Sequence, residues 1–178
     1  MALKAKIFKA TINIANMDQH YYADHQLTIA RHPSENDERM MLRILAFTLH
    51  ASDNLSFTKG ISTDDEPDIW ERSLSGDIEL WIDLGQPDEK RLRKACGRSR
   101  KVVLYNYGGK TSDTWWNQNE TMTTRFNNLK VYNFPPETGK DLSVLTDKNM
   151  ELQCTIQDDQ IWLNNQEYSV QIEIEQRS

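Results

Sequence analysis

Two aspartates on predicted neighbouring strands have the types and spacing that most favour chemistry. Asp83 lies late in the predicted strand 77–84, and Asp68 lies fifteen residues upstream, where the predicted strand 69–73 begins. A Ser75-Gly76 turn should pair the two strands, and paired strands lie about 4.8 Å apart. Both carboxylates then suit one magnesium ion, which prefers oxygen ligands. The structural alternatives are that 77–84 is a half-exposed antiparallel strand with solvated charges, and that Pro67-Asp68 only marks the entry to the strand 69–73.

The predicted strand 77–84 carries its polar side chains on one face. A two-residue period places four aliphatic side chains on one side and four other residues on the opposite side, namely Asp77, Glu79, Trp81 and Asp83. This opposite face is rich in carboxylates. Trp81 lies between two of them, and packing under the first helix or a loop is its expected role.

A cluster of cations follows Asp83 in the chain. Twelve consecutive positions hold seven basic residues, namely Lys90, Arg91, Arg93, Lys94, Arg98, Arg100 and Lys101. Because the cluster begins seven residues after Asp83, we expect it to flank the carboxylates and to bind phosphates, for which arginine offers two parallel N–H donors. The alternative is that cations late in a helix only complement its dipole.

The first half of the chain predicts a hairpin followed by a helix. Strands 5–14 and 22–31 are joined by a polar turn. Ser34 is the predicted N-cap of a helix that runs to about Ala51, with Glu35 in its first turn. An apolar stripe on this helix should pack on a sheet; its members are Met41, Leu42, Leu45 and Leu49.

Hydrophobic periodicity and helix-capping residues predict further strands and helices in the rest of the chain. Leu55–Thr58 is predicted as a short strand, and a second helix begins after Pro87 and ends at Gly97. Later strands are predicted at 101–105, 129–134, 150–156, 160–163 and 168–175, with short helices at 112–119 and 140–145. The predicted fold class is therefore α/β (α+β), with a mixed central β-sheet flanked by helices.

Composition favours a single soluble domain over residues 1–178. The chain has 21 basic and 27 acidic residues and a net charge of −6, which gives no overall attraction to nucleic acid or to a membrane. The longest apolar runs are strand-sized, and the stretch 1–8 alternates charged and apolar residues unlike an export signal. Cys96 and Cys154 form no metal or disulfide pattern, so we expect a cytoplasmic protein. Basic neighbours would lower the pKa of Cys96, although a small buried thiol is the commoner case.

Three segments together resemble a known family. The segments are His32-Pro33-Ser34-Glu35, Glu66-Pro67-Asp68-Ile69-Trp70 and the long string from Glu79 to Leu92. They are similar to the YaeQ family of bacterial proteins over nearly the whole chain. The order of helix, three strands, helix and strand, from about Ser34 to Tyr107, also resembles the core of the PD-(D/E)XK, or restriction-endonuclease-like, nucleases. In this resemblance the N-terminal hairpin and the C-terminal strands elaborate the core.

The resemblance implies roles for several residues. By position, Asp68 matches the aspartate of the motif and Asp83 its second acidic residue, each a ligand for magnesium or manganese. The motif lysine that orients the attacking water falls on Gly85, which carries no charge. Lys90 is the nearest substitute and Lys94 lies one helical turn beyond it, while Gln86 offers a hydrogen bond to a water. Some nucleases of this fold add an acid from the first helix, which leaves Glu35 open as a further metal ligand.

Two functions follow from the resemblance. The first is metal-dependent hydrolysis of phosphodiester bonds, with Asp68 and Asp83 holding the ion. The second is a nuclease fold that has lost catalysis and binds nucleic acid or a protein partner. Lys90, Arg91, Arg93 and Lys94 are the predicted nucleic-acid contacts in either case. Gly85 favours the second function, and the acidic pair favours the first.

Overall fold

The structure, a computed structural model, describes residues 4–58 and 65–178. Residues 1–3 of the N-terminal stretch considered above therefore lie outside the described part. The described residues form four helices and eleven strands, in the order β1 (Lys6–Asn16), β2 (Tyr21–Arg31), α1 (Asp37–Leu49), β3 (Leu55–Phe57), β4 (Ile69–Arg72), β5 (Ile78–Leu84), α2 (Glu89–Arg98), β6 (Ser99–Asn106), α3 (Lys110–Thr123), β7 (Leu129–Asn133), α4 (Thr138–Ser143), β8 (Asn149–Gln157), β9 (Gln160–Asn164), β10 (Ser169–Ile172) and β11 (Glu175–Gln176).

The chain divides into two compact units. The first unit comprises Met1–Leu49 and Glu137–Glu173, and the second comprises His50–Pro136 and Ile174–Ser178. Each unit contains one mixed sheet and two helices. The predicted α/β class is confirmed, with the strands divided between two sheets where the sequence indicated one central sheet.

The sheet of the first unit has the strand order β10-β9-β8-β1-β2. β1 and β8 are parallel and the other neighbours are antiparallel. The predicted hairpin of β1 and β2 is confirmed, since Lys6 pairs with Arg31 and Asn16 with Tyr21. Alternate side chains of β1 are buried, as the two-residue period predicts.

The start of α1 differs from the prediction. The helix begins at Asp37, and its N-cap is Asn36, whose Oδ1 accepts the backbone N–H of Arg39 (2.8 Å). The hydroxyl of Ser34 instead forms a hydrogen bond with the ring of His32 (2.7 Å). Glu35 consequently precedes the helix and does not lie in its first turn. The predicted apolar stripe is also too narrow, because every residue from Met40 to Thr48 is buried.

The sheet of the second unit has the order β11-β7-β6-β5-β4-β3. The predicted antiparallel pairing of β4 with β5 is confirmed, and β5, β6 and β7 run parallel. Parallel neighbours need crossover connections, which α2 and α3 provide. The predicted order of helix, three strands, helix and strand is present, although α1 belongs to the first unit and the other five elements belong to the second.

Helix α2 begins and ends close to, but not at, the predicted residues. Asp88 is the N-cap, and its carboxylate accepts the backbone N–H of Arg91 (2.8 Å). Gly97 lies inside the helix, which ends at Arg98. None of the helices in the described ranges is long and apolar enough to cross a membrane.

Candidate site at the Asp68–Asp83 pair

Asp68 and Asp83 lie opposite each other at the junction of β4 and β5. Ile69 pairs with Ile82 in the antiparallel register, so the next residues outward, Asp68 and Asp83, are also opposite and on the same face. The backbone N–H of Asp68 donates to Oδ1 of Asp83 (3.3 Å). The predicted proximity of the two aspartates is therefore present.

Both carboxylates are removed from solvent. Asp68 and Asp83 are each 4% exposed, and Oδ2 of Asp68 accepts the backbone N–H of Leu84 (2.9 Å). Burial raises the pKa of Asp83; a hydrogen bond from Arg91 opposes this shift, and the negative charge of Asp68 adds to it. The pair is thus an electrostatically costly arrangement that needs compensation from nearby donors.

Arg91 of α2 provides that compensation. Its Nε lies 2.9 Å from Oδ2 of Asp83 and its Nη2 lies 3.1 Å from Oδ1, and Nη2 also donates to the backbone carbonyl of Glu66 (3.0 Å). With the indole N–H of Trp81 (3.0 Å) and the backbone N–H of Asp68, Asp83 accepts four hydrogen bonds. Two carboxylate oxygens offer about four lone pairs, so the acceptor capacity of Asp83 is filled.

Trp81 packs at the base of this site. It lies in an apolar cluster with Leu92 and Ala95 of α2 and Trp115 of α3, where the sequence predicted a position under α1 or a loop. The guanidinium carbons of Arg91 and Arg98 lie 5.9 and 5.6 Å from its ring centroid, within the range of cation–π interactions. This face of β5 is therefore covered by helix α2.

Gly85 and Gln86 form the turn after β5. Gly85 has φ +115°, a backbone conformation that side chains with a Cβ rarely adopt, and its carbonyl accepts the side-chain amide of Asn106 (2.7 Å). A lysine at this position would therefore strain the backbone. Oε1 of Gln86, the side chain predicted to offer a hydrogen bond to a water, accepts the backbone N–H of Tyr107 (3.2 Å).

The remaining predicted cations lie on the outer side of α2. Lys90 is exposed and forms no ion pair with any residue that the structure describes. Arg93 pairs with Glu89 (2.7 Å), and Lys94 pairs with Asp65. These ion pairs are solvent-exposed, unlike that of Arg91.

Glu35 belongs to the first unit and has its own partners. Its carboxylate pairs with Arg39 (2.7 Å) and with Arg43 (2.8 Å), and it is buried. Its negative charge is thus balanced by two guanidinium groups. Over residues 4–58 and 65–178, no group of three or more histidine, cysteine or acidic side chains is arranged to hold a metal ion.

Sequence reasoning missed the pairing of Arg91 with Asp83 and a second, partly buried polar pair between His50 and Tyr105. Nε2 of His50 lies 2.6 Å from the hydroxyl of Tyr105. Burial lowers the pKa of His50 to about 4, with a smaller effect from the charge of Lys101, and burial raises the pKa of Tyr105. The only signal for the first pairing was the eight-residue separation between Asp83 and Arg91, which connects a strand end to the first turn of a helix.

The chain is similar in sequence to several known bacterial proteins. The relative from Escherichia coli (strain K12), named "Uncharacterized protein YaeQ", is 44% identical over 174 residues, which cover 98% of this chain and 96% of the relative. The relative of the same name from Salmonella typhi is 44% identical with the same coverage.

Two solved structures share the fold over the same length. The YaeQ protein from Xanthomonas axonopodis pv. citri is 45% identical, covers 98% of both chains and superposes with a TM-score of 0.94. The YaeQ protein from Pseudomonas syringae is 27% identical, covers 98% of this chain and 96% of that chain, and superposes with a TM-score of 0.90. The YaeQ family model matches residues 1–174. From its sequence and from its fold, the chain belongs to the YaeQ family.

Proposed function

We propose that this protein binds nucleic acid through the outer face of α2 and that it does so without hydrolysis. The observation that carries the proposal is the filled hydrogen-bonding capacity of Asp83. All four of its acceptor positions are occupied by N–H groups, two of them from Arg91. In this role Asp83, through Arg91, holds α2 against the sheet.

A divalent ion does not fit Asp83 in this arrangement. Magnesium binds carboxylate oxygens at about 2.0–2.1 Å, closer than any of the four donors. An ion at either oxygen would therefore displace the guanidinium of Arg91 and leave that cation beside a second positive charge. Breaking a buried ion pair of this kind is costly, because each partner loses its compensation. A bound metal at this site is therefore not part of the proposed function.

The outer face of α2 offers the phosphate contacts instead. We define the α2 cationic surface by its outward-facing exposed basic residues, which are Lys90, Arg93, Lys94 and, at the start of β6, Arg100. Several of these cations pair with carboxylates, including Glu89 and Glu79, but exposed ion pairs contribute little free energy. A phosphate can therefore replace the carboxylate partner at low cost.

The charge distribution between the units supports this surface. The first unit contains thirteen acidic and eight basic residues, so it carries most of the net charge of −6. The second unit, which holds α2, is close to neutral. The overall acidity of the chain therefore does not describe the unit in which the cations are clustered.

Metal-dependent hydrolysis is the second candidate, and one observation favours it. Asp68 and Asp83 face each other across paired strands, and the pKa of Asp83 is raised by burial and by the charge of Asp68, a combination that is common at functional sites. This candidate requires Arg91 to leave the carboxylate. Magnesium or manganese would then be held by Asp68 and Asp83, with Lys90 and Gln86 as the candidate groups for phosphate and water.

A binding and cleavage experiment separates the two candidates. Labelled duplex DNA and RNA are titrated with the protein at about 50 and about 200 mM salt, with and without manganese, and the products are separated by size. We expect binding that weakens with salt and no cleavage products. The double substitution Arg93→Glu and Lys94→Glu should weaken binding at least about tenfold.

The double substitution Lys110→Glu and Lys130→Glu is the matched control, because it changes the charge equally at two exposed lysines of the same unit, on α3 and β7, outside the α2 cationic surface. An equal loss in this control would refute the α2 cationic surface as the binding site. Manganese-dependent cleavage that disappears in Asp68→Ala, with binding retained, would establish the second candidate in place of the first.

A further inference from the structure

Residues Ile174–Ser178 lie along the edge of the second sheet like a bound peptide. Glu175 and Gln176 pair with Asn133 and Tyr132 of β7, which makes β11 the edge strand. The backbone N–H groups of Arg177 and Ser178 donate to the carbonyl of Val131 (2.8 and 3.1 Å). Adding a strand to an exposed sheet edge is a common mode of peptide recognition.

The side chain of Arg177 enters a polar pocket. Its Nη1 donates to Oδ1 of Asn106 (3.2 Å) and to the hydroxyl of Ser112 (2.9 Å), and Nη2 pairs with Asp113. The guanidinium carbon lies 5.9 Å from the ring centroid of Trp116. The side chain of Arg177 is only 8% exposed. We call the four contacting residues, Asn106, Ser112, Asp113 and Trp116, the arginine pocket.

The arginine pocket is held in shape by bonds that do not involve Arg177. The amide of Asn106 donates to the carbonyl of Gly85 (2.7 Å), which turns its oxygen towards the guanidinium. The hydroxyl of Ser112 donates to the side chain of Asn133, and all three of these polar side chains are buried. A pocket whose donors and acceptors are already oriented loses little entropy when it binds an arginine.

The position of the pocket in the sheet also suits a ligand. Asn106 ends β6, Asn133 ends β7, and Ser112 lies in the first turn of α3. In open sheets, ligands commonly bind beyond the carboxyl ends of parallel strands. Here that position is occupied by a segment with one buried anchor, because Glu175 and Gln176 are both exposed.

We propose that the arginine pocket is a binding site for the arginine side chain of an extended peptide, and that residues 174–178 are its tethered occupant. A peptide in trans would replace the segment, pair with β7 and place its arginine between Asp113 and Trp116. The tethered segment competes at an effective concentration in the millimolar range, so it suppresses binding in trans until Arg177 is removed. This site is independent of the α2 cationic surface.

The test uses the full chain with Arg177→Ala and a labelled peptide of sequence Ile-Glu-Gln-Arg-Ser with blocked ends. Fluorescence anisotropy measures its binding, and a second peptide carries lysine in place of arginine. We expect the arginine peptide to bind the variant at least about tenfold more tightly than the lysine peptide, because lysine lacks the planar pair of donors. The unsubstituted protein should bind the arginine peptide about tenfold or more weakly than the variant.

Two further variants complete the design. Arg125→Ala removes an exposed arginine of the same unit whose ion pair with Glu89 lies outside the pocket, and it should bind the peptide as weakly as the unsubstituted protein does. Arg177→Lys keeps the charge, so it serves if the alanine variant does not fold, and it should also bind the arginine peptide more tightly than the unsubstituted protein. Equal binding of the two peptides, or no binding to either Arg177 variant, would overturn the proposal.

Discussion

Arg91 binds both carboxylate oxygens of Asp83, with Nε 2.9 Å from Oδ2 and Nη2 3.1 Å from Oδ1. This pair joins the first turn of α2 to the end of β5 and neutralises a carboxylate that burial makes costly to ionise. With Arg91 directed towards the sheet, Lys90, Arg93 and Lys94 of the same helix are exposed to solvent. The pair therefore links the stability of the second unit to the surface proposed to bind phosphate.

Replacing Arg91 with methionine should lower the free energy of unfolding by about 3 kcal/mol, because the buried carboxylate of Asp83 loses its compensation. Urea denaturation at pH 7 measures the change. The pKa of Asp83 in the folded protein is already above its unfolded value, and protonation removes the buried negative charge. The difference in unfolding free energy between the variant and the unsubstituted protein should therefore shrink as the pH falls towards that folded pKa. Arg93→Met is the control and should change stability by no more than about 0.5 kcal/mol, since Arg93 is 66% exposed. A similar loss in both variants would contradict the importance of the pair.

His50 should make folding depend on pH between about 4 and 6.5. Its folded pKa is about 4 and its unfolded value is 6.5, so the unfolded chain binds more protons in this window. The stability contributed by neutral His50 is complete above pH 6.5 and is lost as the pH falls towards 4, by about 1–3 kcal/mol. Denaturation curves at several pH values, compared with those of His50→Gln, measure the contribution as a difference in slope. Identical slopes for the two proteins would show that His50 is not the group responsible.

Gly85 and Gly97 should respond in opposite directions to alanine. Gly85 has φ +115°, and the nearest atom to an added Cβ, in Tyr107, is 3.9 Å away, so the cost of Gly85→Ala is backbone strain of about 1–2 kcal/mol. Gly97 lies inside α2 with no atom within 4 Å of an added Cβ, so Gly97→Ala should stabilise by about 0.5–1 kcal/mol.

Gly85→Lys, which places a lysine where the nuclease resemblance leads one to expect it, should be destabilised about as much as Gly85→Ala, because the strain arises in the backbone. Thermal unfolding of the three variants measures these changes. A neutral or stabilising effect of either Gly85 substitution would contradict the role given to this conformation.

Cys96 should react slowly with thiol reagents despite its basic neighbours. Burial raises its pKa to about 11, and that of Cys154 to about 12. Cys96 is half-buried, where the sequence favoured a fully buried thiol, whereas Cys154 is buried. At pH 7.5 its thiolate fraction should be about a hundredfold below that of an ordinary cysteine. The rate of modification in native buffer, compared with the rate in denaturant, measures this difference. A native rate near that of the unfolded chain would show that the thiol is accessible and ionised.

Local patterns in the chain determined most of its elements. Alternation in 5–14 and 22–31 predicted the hairpin of β1 and β2, because side chains of a half-buried strand must alternate between core and solvent. The Ser75-Gly76 turn predicted the pairing of β4 with β5, and with it the proximity of Asp68 and Asp83. These features depend on residues that are close in sequence, so their physical causes are present in the sequence itself.

Tertiary structure alone decided the remainder. Both Ser34 and Asn36 are suitable N-cap residues for α1, and in the structure it is the side chain of Asn36 that accepts the backbone N–H of Arg39. The division of the strands into two sheets depends on pairings between distant segments, such as β1 with β8. Arg91 was indistinguishable by type from its basic neighbours, and only its position on the inner side of α2 directs its guanidinium to Asp83. Burial then raises the cost of any uncompensated charge, so the chemistry of a side chain depends on its surroundings as well as its type.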